Sequence, residues 1–163
     1  MELFGGHNGA PLAIVDYAHT PDALNKALRA ARMHCRGRLH VVFGCGGDRD
    51  VGKRPLMGTI AAELADDIVL TDDNPRTEDP RRIVADIIAG VRSSPAARAT
   101  SVRVEHDRTR AITSTLSVSA AGDAVVIAGK GHESYQVYGS ERRPFSDQAV
   151  IQSHFAAHFG EQV

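Results

Sequence analysis

At 163 residues the chain is the size of one domain with room for a substantial core, so no disulfide framework is needed to hold it. Its 19 lysines and arginines against 20 aspartates and glutamates create no basic field, which excludes nucleic acid and anionic lipid as expected partners.

The chain opens on Phe4, Gly5, Gly6, His7, Asn8, Gly9 and Pro11, a turn-rich lead-in with no core of its own. Residues 1–11 are therefore expected to be a linker from a preceding domain, and 12–163 the domain proper. A first apolar run, Leu12 to Val15, is followed by Thr20 as a helix cap before Pro21, with Leu24, Ala27, Leu28 and Ala31 on one face and Gly37 as the stop. The run Leu39 to Phe43 leads to a helix opening near Pro55 that should turn Leu56, Ile60 and Leu64 inward. After Ile68 to Leu70, Asp79 and Pro80 start a third helix carrying Ile83, Val84, Ile87 and Ile88, with Gly90 as its C-terminal cap. Residues 92–100 read as a surface connection. Ser101 to Val104 precedes a helix capped by Asp107 with Ala111, Ile112, Thr115 and Leu116, and Ala124 to Ala128 is the fifth run. Tyr135 to Tyr138 suits an edge strand turning at Gly139 and Ser140, and Ser146 caps a last helix ending near Phe159.

Strand-like runs alternating with helical ones predict successive βαβ units. The expected fold is α/β, a Rossmann-like, mostly parallel sheet of about six strands with helices on both faces. No apolar run approaches the ~20 residues that span a bilayer, and no basic region leads into an apolar stretch at the N-terminus. Cys35 and Cys45 form neither a CxxC pair nor a zinc spacing, so a soluble, unprocessed, cytoplasmic chain is expected.

In open parallel sheets, ligands lie beyond the carboxyl ends of the strands, and four of the five ends are rich in functional groups. Asp16 and His19 follow the first. They fit either the satisfaction of backbone donors at a helix start or contacts to a ribose diol and a nucleotide base. Gly44, Gly46 and Gly47 follow the second, but Arg49 stands where a dinucleotide fingerprint needs its third glycine. Asp72, Asp73, Asn74, Pro75 and Arg76 follow the third. A carboxylate, an amide and a guanidinium this close can grip both the ammonium and the carboxylate of an amino acid. At the fifth, Gly129 and Gly131 flank Lys130 ahead of His132 and Glu133, without the spacing of a P-loop. His154 and His158 lack the glutamate of HExxH, and no metal site is expected.

The series DYAHTPDAL from Asp16, FGCGGDRD from Phe43, GKRPLMG from Gly52, DDNPR from Asp72 and AGKGHESYQ from Ala128 resembles, in order and spacing, the C-terminal domain of the Mur ligases. The likeness is greatest to members that add meso-diaminopimelate to UDP-N-acetylmuramoyl-L-alanyl-D-glutamate at the cost of ATP. That resemblance implies a diaminopimelate site built from Arg49, Asp73, Asn74, Pro75, Arg76, Gly129 and Glu133, with Asp16 and His19 near the ATP ribose and base. Lys53 would face the reacting phosphate. It also implies that ATP and Mg2+ are held mainly by a central domain, and that N-terminal and central domains of the same protein are the partners. The isolated chain would then be inactive. Two other readings stand beside it: a stand-alone NAD(P)-binding oxidoreductase using the Gly44 loop, and a non-catalytic amino-acid-binding module.

Overall fold

The computed structural model describes residues 1–160. Strands β1 (Glu2–Gly5), β2 (Leu12–Asp16), β3 (Leu39–Phe43), β4 (Asp67–Leu70), β5 (Ser101–Val104) and β6 (Ala124–Ala128) form one six-stranded sheet in the order β1-β2-β6-β3-β4-β5. All pairs are parallel except β1, which lies antiparallel on β2. Helices α1 (Pro21–His34), α2 (Lys53–Leu64) and α3 (Pro80–Ser93) cover one face, and α4 (Arg108–Val118) and α5 (Asp147–Phe159) cover the other. Strand β6 shows why both covers are required, since Val126 and Ala128 enter one core while Val125 and Ile127 enter the second. The chain runs outward through β3, β4 and β5, then returns through α4 to insert β6 between β2 and β3. That reversal gathers the carboxyl ends of β2, β6 and β3 at one edge. Among the described residues no helix is long and apolar enough to cross a membrane.

The four expected caps form: Thr20, Asp79, Asp107 and Ser146 accept from the backbone N–H of Ala23, Arg81, Arg110 and Ala149. Other expectations need correction. Part of the supposed lead-in is β1, whose Phe4 is buried against α5, so residues 2–5 belong to the sheet. The inner face of α2 is Met57, Gly58, Ala61 and Ala62, and Leu56 is 56% exposed. Small residues win this face because α3 passes very close. Gly90 is likewise no cap: α3 runs on to Ser93, and a Cβ at Gly90 would overlap the Pro55 carbonyl oxygen. Tyr135–Tyr138 leaves the main sheet altogether and pairs with Glu141–Pro144 as a separate hairpin, β7 and β8.

The 92–100 connection does more than cross the surface. Arg98 donates to Asp66 (2.6 Å), which also accepts from Arg32 (2.9 Å) and the Leu39 N–H (2.8 Å), so one carboxylate joins this loop to α1 and β3. Burial pushes Asp66 up, but the bonds from Leu39, Arg98 and Arg32 outweigh it and hold the carboxyl down at about 2. Its folded value lies below the unfolded ~3.9, so it adds on the order of 2 kcal/mol above pH ~4, lost as pH falls through the folded value. Denaturant midpoints measured from about pH 5 to pH 2 should fall accordingly, and Asp66→Asn should flatten that dependence. Gly90→Ala, which helix propensity alone would favour, should cost about 2 kcal/mol or more in the same measurement because the α2–α3 contact must open.

Candidate functional site

The loop after β3 and the loop after β4 are fused by backbone contact. A Cβ on Gly44 would overlap the Thr71 carbonyl oxygen and one on Gly47 the Pro75 carbonyl oxygen, while the Gly47 N–H donates to Asn74 O at 2.8 Å. These glycines therefore serve a chain-to-chain approach rather than a dinucleotide. Arg54, in the first turn of α2 and 1% exposed, closes the joint by donating to Gly46 O (3.3 Å), Glu78 (2.6 Å) and Asp86 (3.0 Å). Asp48, at φ +54°, accepts from the Thr77 hydroxyl (2.7 Å) and backbone N–H (3.2 Å), and its own N–H donates to Glu78 (2.6 Å).

Asp72, Asp73, Asn74 and Pro75 are buried, and Arg76 is half-buried. Asn74 is the hub: its Oδ1 accepts from Lys130 Nζ (3.0 Å) and the Val137 N–H (2.9 Å), and its Nδ2 donates to Glu133 (3.0 Å). Two donors on one oxygen fix which way the amide faces. Lys130 is fully buried, and its Nζ also donates to Tyr135 O (2.9 Å) and Glu133 (3.4 Å). Asp73 Oδ1 stands 3.1 Å from the same ammonium, an ion pair whose angles do not make it a hydrogen bond.

Arg76 is held at φ +54° by strand-like bonds to the hairpin, its N–H to Val137 O (3.0 Å) and its carbonyl from the Gly139 N–H (2.7 Å). Its Nη1 donates to Gly47 O at 2.9 Å. Arg49 is exposed, with Nη1 on the Asp48 carbonyl (2.9 Å). The two arginines flank Gly46, where a Cβ would lie 2.9 Å from Arg76 Nη1 and 3.6 Å from Arg49 Cγ. Behind this wall Asp72 accepts from Tyr138 Oη (2.9 Å) and faces His106 Nδ1 (2.7 Å); burial, then the Asp72 bond, push the Tyr138 hydroxyl well above its ordinary value. Gln136 donates to the carbonyls of Asp72 and Asp73, both at 3.2 Å. Arg108 forms a fully buried two-bond pair with Asp147 and donates to Ala128 O (3.1 Å), tying α4 and α5 to the end of β6.

A second group lies at the end of β2. Asp16 Oδ1 accepts from the Ala18 N–H (2.8 Å), and its carbonyl accepts from the Gly129 N–H (3.1 Å). Gly129, at φ +113°, turns its bare Cα side toward Asp73, whose Oδ2 would be 3.7 Å from a Cβ. His19 is exposed with its ring 4.5 Å from that of Tyr17, and Lys53 Nζ donates to the His19 carbonyl at 2.7 Å. The predicted residues thus fall into two neighbouring sets: Arg49, Asp73–Arg76, Gly129 and Glu133 around the fused loops, and Asp16, His19 and Lys53 beside them. The Cys45 thiol, pushed up to about 12 by burial, lies on Met57 and is a poor nucleophile. Among the described residues no group of three or more His, Cys, Asp or Glu is placed to hold a metal ion. Sequence reasoning missed Arg54, Tyr138 and Lys130 as parts of the site. For Lys130 the only signal was its place between two glycines after a buried run.

The family model for the Mur ligase, glutamate ligase domain matches residues 1–131. Among solved structures, a UDP-N-acetylmuramoyl-L-alanyl-D-glutamate-2,6-diaminopimelate ligase is 45% identical with a TM-score of 0.86, over 96% of this chain and 31% of its own. A murein peptide ligase from Psychrobacter arcticus 273-4 is 21% identical with a TM-score of 0.65, over 100% of this chain and 30% of its own. A folylpolyglutamate synthase from Thermotoga maritima is 21% identical with a TM-score of 0.56, over 78% and 26%. The last two speak for the fold alone, and this chain spans about a third of the ligases it matches. The stand-alone oxidoreductase reading finds no support among these relatives. Matched across residues 1–131, and with 96% of its own length aligned at 45% identity to one ligase, the chain belongs to the Mur ligase family and carries that family's glutamate ligase domain.

Proposed function

We propose that this chain is the C-terminal domain of an ATP-dependent cytoplasmic ligase that adds meso-diaminopimelate to UDP-N-acetylmuramoyl-L-Ala-D-Glu, and that it receives the incoming amino acid and part of ATP. One observation carries the reading: two arginines flank Gly46 on one side of Asn74, while two carboxylates, Asp73 and Glu133, meet Lys130 on the other. Meso-diaminopimelate has two ammonium and two carboxylate groups, so a competent site needs both signs, separated. Arg76 and Arg49 suit a carboxylate bidentately, Asp73 and Glu133 suit an ammonium, and the Gly129 backbone allows close approach. Buried Pro75 holds the wall between them rigid.

In the second set Asp16 offers a carboxylate to a ribose diol, exposed His19 a ring to a base, and Lys53 a cation to a phosphate. Lys53 would exchange the His19 carbonyl for that phosphate. Magnesium would be held mainly by the central domain, as the family likeness implies. The reaction joins an amine to an activated carboxyl, and this domain's share is delivery of the amine in a fixed orientation. By itself the chain would act as an amino-acid-binding module without ligase activity.

Lysine lacks the second carboxylate, so Arg76 is the residue that should reject it. In the full-length ligase Arg76→Ala should raise KM for meso-diaminopimelate by about 10²-fold while leaving KM for ATP in place. An unchanged KM for the diamino acid would sink the assignment.

A further inference from the structure

Lys130 lies at the amine end of the site, between the two carboxylates proposed to take the substrate ammonium. Its side chain is fully buried, yet its ammonium has two carboxylates within reach, Asp73 at 3.1 Å and Glu133 at 3.4 Å, and two uncharged acceptors, Asn74 Oδ1 and Tyr135 O. Burying an ammonium this completely is costly unless its partners are fixed. Here they are the same groups that would face the substrate.

The charges can be counted. Asp73 and Glu133 carry one negative charge each and Lys130 one positive, leaving one net negative charge at this wall. The next charged pair inward, Arg108 from α4 and Asp147 from α5, cancels itself, although Arg108 also feels Asp73 and Glu133 through space. Asp72 lies behind, engaged with His106 and Tyr138. One net negative charge matches one incoming ammonium. The same lysine, which can only donate, joins the Val137 N–H in holding Asn74 Oδ1 and so leaves Nδ2 aimed at Glu133.

We propose that Lys130 is a positioning residue for the amino-acid substrate: its buried ammonium orients Asn74 and Glu133 and sets the amine-end wall to a single net negative charge. This rests on the diaminopimelate reading of the site and deepens it. Without Lys130 two carboxylates, one buried and one half-buried, would share the site with no cation between them, and their repulsion would favour a proton on one of them. Binding of the ammonium would then be coupled to a proton.

The test uses the full-length ligase, with wild type assayed first; failure to accept meso-diaminopimelate there overturns the functional reading itself. Given that activity, Lys130→Met should raise KM for meso-diaminopimelate by roughly ten- to a hundredfold, with KM for ATP and for the UDP-linked dipeptide unchanged. Its pH profile of kcat/KM for the diamino acid should gain an ionisation absent from wild type, and Lys130→Met with Glu133→Gln should lose it again. A lysine that merely glued the hairpin to the loop would lower thermal stability and leave KM and the pH profile alone, and that result overturns the proposal. If Lys130→Met does not fold, Lys130→Gln, which keeps a donor for Asn74 without the charge, is measured against the same outcomes. If neither folds, the Lys130 ammonium signal in 15N-lysine-labelled wild type should shift on adding meso-diaminopimelate, and its standing still overturns the proposal.

Discussion

The rest of the structure depends on how closely the backbone after β3 approaches the backbone after β4. Gly44 and Gly47 have no Cβ because carbonyl oxygens of Thr71 and Pro75 occupy that space. The contact makes one rigid body of two loops that would otherwise be separate surface connections. With Gly47 seated against Pro75, Asn74 is buried, and Arg76 reaches the Gly47 carbonyl from a left-handed backbone. That conformation costs on the order of 1 kcal/mol for a non-glycine residue. Backbone bonds from the β7–β8 hairpin on both sides of Arg76 offset it, so the hairpin is held by the site as much as the site is held by the hairpin.

Three cations are buried at or beside the carboxyl edge of the sheet, and none is buried alone. Arg54 meets Glu78 and Asp86, Arg108 meets Asp147, and Lys130 meets Asp73 and Glu133. Apolar residues of similar volume would give comparable or greater stability at each place, since desolvation consumes most of the Coulomb gain. What the charged pairs provide is direction. Arg54 fixes the Gly46 carbonyl, Arg108 fixes the end of β6, and Lys130 fixes Asn74. Preorganisation of this kind concentrates where a ligand needs groups held in place before it arrives.

Elements defined by periodicity and capping were legible in the sequence: the five central runs are strands, and Thr20, Asp79, Asp107 and Ser146 cap helices as expected. Two of three failures share a physical cause, a long-range contact that overrode a local pattern, and the third had no pattern to read. Leu56, Ile60 and Leu64 have helical spacing, and Ile60 and Leu64 do pack on the core, but α3 approaches α2 over Gly58 and the small residues, and Leu56 is left exposed. Gly90 looks like a stop and is instead the point where α3 meets the Pro55 carbonyl. Strand β1 is four residues long with a single buried side chain, Phe4, too little for any periodicity to register. For the site, the residues that carry formal charge at strand ends were readable, whereas their partners were not. Part of the engagement of Lys130 and Asn74 comes from Tyr135 and Val137 folding back over them, and nothing local to Gly129–Gly131 encodes that return.

On the proposed reading the site would exchange contacts on binding rather than merely add them. Asp73 and Glu133 already have Lys130, and Arg76 already has the Gly47 carbonyl, so a substrate is selected by the difference between these internal partners and its own groups. At Arg76 only Nη1 is committed, and Nε and Nη2 make no hydrogen bond among the described residues. A carboxylate can take that open edge bidentately without displacing the Gly47 contact. The same arrangement would bound the proposed discrimination against lysine, because an arginine whose Nη1 keeps the Gly47 and Asn74 carbonyls is not left wholly unpaired when the second carboxylate is missing. The penalty comes from one unfilled edge of a half-buried guanidinium. On the proposed reading, selectivity would depend on how completely closure of the full-length ligase removes water from that edge, so Arg76 would reject lysine most strictly where closure dries it.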